Sequence, residues 1–72
     1  MLAMFKMMDG RNVAINPENV TETFGGESTT RICFTDGSYT DVEESFTETV
    51  KKLNDCSVTN GIAYLIDAMK NQ

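Results

Sequence analysis

Two Asp-Gly pairs, Asp9-Gly10 and Asp36-Gly37, each stand between short runs of β-prone residues, and they constrain this chain more than anything else in it. Glycine reaches the positive φ that a tight hairpin turn needs, so an Asp-Gly flanked by strand-forming residues marks a β-hairpin. The first pair separates residues 2–8 from 11–15, and the second separates residues 30–35 from 38–42.

Side-chain sorting then sets the register. A two-residue loop at the second turn would pair Phe34 with Tyr39 and put Asp41 on the face of Ile32. A three-residue loop with a glycine bulge instead pairs Phe34 with Ser38, Ile32 with Thr40 and Thr30 with Val42. That register gathers Ile32, Phe34 and Val42 on one face. In the first hairpin it gathers Phe5, Met7, Val13 and Ile15 and leaves Lys6 and Asn12 opposite. A slip of one residue exchanges the faces, so the cleaner segregation favours bulged turns at both places.

Asn16-Pro17-Glu18-Asn19 reads as a turn, since proline presets φ and asparagine can hydrogen-bond its own backbone. Residues 20–24 alternate as a short middle strand, and Gly25-Gly26-Glu27-Ser28 is a loop. Residues 1–42 are therefore expected to form an antiparallel β-meander of about five short strands.

The second half is helical. Ser45-Phe46-Thr47-Glu48 is a capping box that opens a helix over 45–54. Phe46, Val50 and Leu53 form its apolar stripe, and Lys51 and Lys52 stand toward its C-terminal end. Asn54-Asp55-Cys56-Ser57 interrupts the pattern. A second helix is predicted over 59–70, with Ile62, Leu65, Ile66 and Met69 on one side and Tyr64 alongside. These five residues close the core, pair with a copy of the chain in a two-fold dimer, or do both. The expectation is a single α+β domain over 1–72, a meander followed by two C-terminal helices. A chain of 72 residues is too short to feed two cores.

The chemistry available is narrow. The sequence holds no histidine, which removes the commonest general base and the commonest zinc ligand. Cys33 and Cys56 lie in different elements without a CxxC spacing and read as small apolar residues. Gly25-Gly26 lacks the Lys-Ser/Thr or third glycine of a phosphate loop. No enzyme activity, cofactor or metal is expected. The opening Leu2-Ala3-Met4-Phe5 is broken by Lys6 and Asp9, too short for a secretory or membrane segment, so a cytoplasmic location is expected.

Eleven acids against six bases give a net charge of −5, which disfavours direct nucleic-acid binding and docking on anionic membranes. Asp36, Asp41, Glu43, Glu44 and Glu48 follow one another with no Lys or Arg between them. They are the candidate docking patch for a protein partner, a basic one on charge grounds. Lys6, Arg11 and Arg31 are the candidate anion-binding groups.

The run from Met8 to Pro17, then Val20, then Thr30 to Gly37, then Val42-Glu43-Glu44-Ser45-Phe46 with Val50, resembles the small FlbD/SwrD-type flagellar proteins. The resemblance covers residues 1–53, and Glu44-Ser45 is its least generic part. It departs at the apolar tail 56–72 and at the loose Gly25-Gly26 loop. It implies a non-enzymatic accessory protein and carries no catalytic residues with it. Residues and resemblance together point to an acidic, homo-oligomeric, protein-binding adaptor or regulator. The alternative is a phage-encoded antagonist of a host or defence system. Such a protein would block a nucleic-acid-binding protein or sequester a small anionic signalling molecule.

Overall fold

The computed structural model describes residues 1–57. They form β1 (Ala3–Lys6), β2 (Asn12–Ile15), a 3-10 turn (Pro17–Asn19), β3 (Val20–Gly25), β4 (Thr30–Phe34), β5 (Tyr39–Val42) and α1 (Phe46–Cys56). The architecture is α+β: five short antiparallel strands in two sheets, then one helix.

Both hairpins turn as the side-chain sorting requires. The Met7 amide donates to Arg11 O at 2.7 Å and the Gly10 amide to Met7 O at 3.0 Å. The second turn repeats this, with Phe34 N to Ser38 O at 2.9 Å and Gly37 N to Phe34 O at 3.0 Å. Gly10 and Gly37 take φ of +92° and +88°, where a Cβ is disfavoured. Asp9 and Asp36 each accept the amide two residues on, from Arg11 at 3.0 Å and Ser38 at 2.9 Å. The resulting registers set Phe5 opposite Val13, Thr30 opposite Val42 and Ile32 opposite Thr40. Ala3, Phe5, Ile15, Ile32, Val42 and Leu53 are buried as one core, with Val13, Val20, Phe34 and Cys56 packed against it.

The expected single meander is replaced by two sheets. Among the described residues β1 pairs with β2, and β3, β4 and β5 form a separate three-stranded sheet in that order. The cause lies in the 16–19 turn. Asn16 Oδ1 caps it by accepting from Glu18 N at 3.1 Å, and Pro17 occupies its first turn. Asn19 O then accepts the Thr35 amide at 2.8 Å, which ties the turn to the second hairpin. β1 meets β5 instead: Met7 bridges Val42, and Glu43 N donates to Lys6 O at 2.8 Å. β3 pairs with β4 so that Phe24 faces Arg31 and Thr23 faces Ile32, with a bulge between Val20 and Glu22.

α1 is longer than the 45–54 expected, and it is rotated. Ser45 is its N-cap, its Oγ accepting from Glu48 N at 3.2 Å, and the helix continues through Asn54 and Asp55 to Cys56. Its buried residues are Thr49 and Leu53, whereas Phe46 is 41% exposed and Val50 half-buried. A clamp on the first turn explains the rotation. Phe46 N donates to Gly26 O at 2.8 Å, and the Thr30 hydroxyl donates to Glu44 O at 2.9 Å. The helix start is thereby pinned to the β3–β4 end of the sheet. Lys51 and Lys52 do not stand in the last turn. Lys52 reaches back to Glu44 at 2.7 Å and to Met4 O at 3.3 Å, its ammonium 5.1 Å from the Phe5 ring centre.

The second helix predicted over 59–70, with Ile62, Tyr64, Leu65, Ile66 and Met69, lies outside the described residues. Among the described residues no helix is long and apolar enough to cross a membrane.

Candidate functional site

Strand alternation sends Thr30 and Ile32 of β4 inward and Arg31 and Cys33 to the opposite face of the three-stranded sheet. Arg31 stands between Phe24 of β3 and Asp41 of β5, and Cys33 stands opposite Tyr39. The Arg31 Nε donates to Asp41 Oδ1 at 2.8 Å and a terminal nitrogen donates to Oδ2 at 3.1 Å, a two-pronged contact that holds the guanidinium in one orientation. The same guanidinium lies 4.0 Å from the centre of the Tyr39 ring.

Large apolar groups surround this pair without being buried. Phe24 is 56% exposed, Tyr39 57%, and Met8, from the first hairpin turn, 53%. Together with Gly25, Gly26 and Thr29 they line an open groove of about 620 Å³. Its floor is a cation matched to an anion, and its rim is aromatic and thioether surface. Such a groove can seat an apolar side chain of a partner, and the Cys33 thiol also lines it.

The five acids predicted to form one patch are dispersed. Asp36 accepts from the amide and hydroxyl of Ser38 in its own turn. Asp41 is held by Arg31, and Glu44 pairs with Lys52 at 2.7 Å. Glu43 and Glu48 remain exposed and have no side-chain partner among the described residues. Asp36 lies beyond one end of β5 and Glu43 beyond the other. At about 3.3 Å per residue the four residues of that strand set them about 13 Å or more apart.

The three candidate anion-binding groups are likewise not brought to one place as free cations. Arg11 is held by Asp9 at 2.7 Å at the tip of the first hairpin, and Arg31 by Asp41 in the groove. Lys6 is exposed on β1. Cys33 and Cys56 are free thiols, Cys56 against the core and Cys33 on the groove face. Among the described residues no three His, Cys, Asp or Glu side chains converge as a metal-binding set.

These contacts lower the proton affinity of three aspartates below the ordinary value of 3.8. For Asp41 the leading cause is the Arg31 hydrogen bond, for Asp36 the Ser38 hydroxyl, and for Asp9 the Arg11 amide. A folded-state pKa below the unfolded one contributes stability above the unfolded value, and that contribution drains as pH falls through the folded value. The urea midpoint is therefore expected to hold near neutrality and to begin falling once the pH drops into the ordinary carboxylate range. Asp36→Asn and Asp41→Asn should flatten that fall. A midpoint rising on acidification below pH 4 contradicts the assignment.

Comparison with protein-family models, with curated proteins and with solved structures finds no match to this chain.

Proposed function

We propose that this chain is a non-enzymatic protein-binding module, an adaptor or regulator, and that it docks through the outer face of the three-stranded sheet. The observation that supports this is the Arg31 guanidinium, held by Asp41 and stacked on Tyr39, with Phe24 and Met8 exposed around it. Tyr, Phe, Met and Arg are the residue types enriched in protein interfaces, and Tyr and Arg recur among the few that carry the binding energy. An arginine already held in one rotamer loses little further freedom when a partner arrives, so less of the contact energy is spent on ordering.

The resemblance to FlbD/SwrD-type proteins over residues 1–53 supports the same class, an accessory protein without a reaction of its own. Sequestration of a small anion draws less support. Arg11 and Arg31 are already engaged by Asp9 and Asp41, so a phosphate would have to displace a carboxylate at either one.

The test is to place a photo-crosslinking benzoylphenylalanine at position 39 and, in a second variant, at the exposed β2 position 12. Irradiation in the cell should attach a polypeptide at 39 and not at 12. Equal yields at the two positions, or no polypeptide adduct at 39, remove the outer face as the docking surface.

A further inference from the structure

We infer that residues 58–72 of this same chain fill the cleft between β3 and α1, seating Ile62, Leu65, Ile66 and Met69 against it.

The cleft shares no lining residue with the outer-face groove. It measures about 210 Å³, and its lining combines apolar Val20, Val50 and Leu53 with polar Glu22, Asn54 and Ser57. That is below the about 300–1,000 Å³ of small-molecule pockets, and it suits side chains better than a ligand. The helix carries the apolar line further. Phe46, Val50 and Leu53 stand at i, i+4 and i+7, one stripe of α1. Leu53 is buried, but Phe46 is 41% exposed and Val50 half-buried, so among the described residues the stripe is incompletely covered.

Where the chain goes next selects the occupant. Ser57, the last described residue, itself lines the cleft. The stretch that follows carries Ile62, Leu65, Ile66 and Met69 at i, i+3, i+4 and i+7, the spacing of one helix face. A helix over 59–70 leaves residues 57 and 58 as its connection to α1, a length that joins two antiparallel helices. From Ile62 to Met69 such a helix advances about 10 Å, the same as from Val50 to Ser57. Running back along α1, it sets Ile62 by Leu53, Leu65 and Ile66 by Val50, and Met69 by the exposed Phe46. A segment tethered at the cleft also meets it at an effective concentration of about a millimolar, which a second copy or a separate partner at micromolar concentration does not match.

Photo-crosslinking in the purified full chain tests the inference. Benzoylphenylalanine is placed at the half-buried position 50, at the exposed cleft position 54, and at position 48 on the opposite side of α1. Irradiation at micromolar concentration should join positions 50 and 54 to residues 59–70 of the same chain. The product should keep the mass of one chain, with a yield independent of protein concentration, and position 48 should give none of it. Ile62→Asp with Ile66→Asp should lose the adduct while circular dichroism still reports the strands.

Adducts of two chains whose yield rises with concentration would place a second copy in the cleft and overturn the inference. So would an absence of adducts to 59–70 from both 50 and 54, equal yields at 48, or an adduct that survives the two aspartates. Position 54 is exposed, so its result stands even if the bulky group at 50 disturbs the helix.

Discussion

Ile32→Ala should lower the unfolding free energy by about 2–5 kcal/mol. Ile32 lies in β4, the central strand of its sheet, and is completely buried among Ala3, Phe5, Ile15, Val42 and Leu53. Its backbone neighbours are Thr23 on one side and Thr40 on the other, so β3 and β5 restrict how far the surroundings can move into the space left. A chain of 72 residues at about 0.05–0.15 kcal/mol per residue holds about 4–11 kcal/mol in all, so this one side chain accounts for a large share. Urea titration followed by circular dichroism reads the change. A loss under about 1 kcal/mol would mean that the two sheets do not close on Ile32.

Gly25→Val should cost about 2–4 kcal/mol from overpacking and a broken hydrogen bond together. The reason is space, because among the described glycines only Gly10 and Gly37 have positive φ. A Cβ at position 25 would stand 2.8 Å from Thr30 Cβ and 2.9 Å from Thr29 O, and nearer still to Thr30 Oγ1. Thr30 is buried, and its hydroxyl is the donor that holds Glu44 O at 2.9 Å. Displacing it releases the first turn of α1 from the sheet, with Phe46 N on Gly26 O beside it. The expected signature is a lower denaturation midpoint accompanied by faster amide exchange at Phe46. Gly26→Val is the control, since a Cβ there meets nothing within 4 Å. Equal losses at 25 and 26 would contradict the close approach to Thr30.

The two hairpins were legible because backbone and side-chain demands coincide in them. Each turn needs a glycine at positive φ, and only the bulged register puts Ile32, Phe34 and Val42 on one side. That register also sets Arg31 opposite Asp41, so their pairing follows from a local rule. Counting Asp41 as a free acid and Arg31 as a free base overlooked it. Phe24, Tyr39 and Met8 escaped notice because none belongs to a motif, and they meet only once β3, β5 and the first hairpin turn have been placed in space.

The division into two sheets was not legible for a similar reason. Asn16-Pro17 announces a turn, but its direction depends on Asn19 O meeting the Thr35 amide, sixteen residues away along the chain. The rotation of α1 has the same kind of cause. Phe46 is the most apolar residue of the first turn, yet the bonds at Glu44 and Phe46 orient the helix so that the smaller Thr49 goes inward. Among the described residues the buried Thr49 hydroxyl has no hydrogen-bond partner, a cost that apolar periodicity would not have accepted.

Oxidative footprinting compares surfaces that are equally open in the isolated subunit and differ only in whether something docks on them. Met8 is 53% exposed on the groove and Met4 is 60% exposed on β1, so in a free, dilute chain the two should oxidise at similar rates. Under brief oxidation in the cell, Met8 and Tyr39 should be protected while Met4 reacts as it does in the free chain. Oxidation in the cell of Met8 as fast as Met4, and of Tyr39 as fast as in the free chain, would show that nothing occupies the groove.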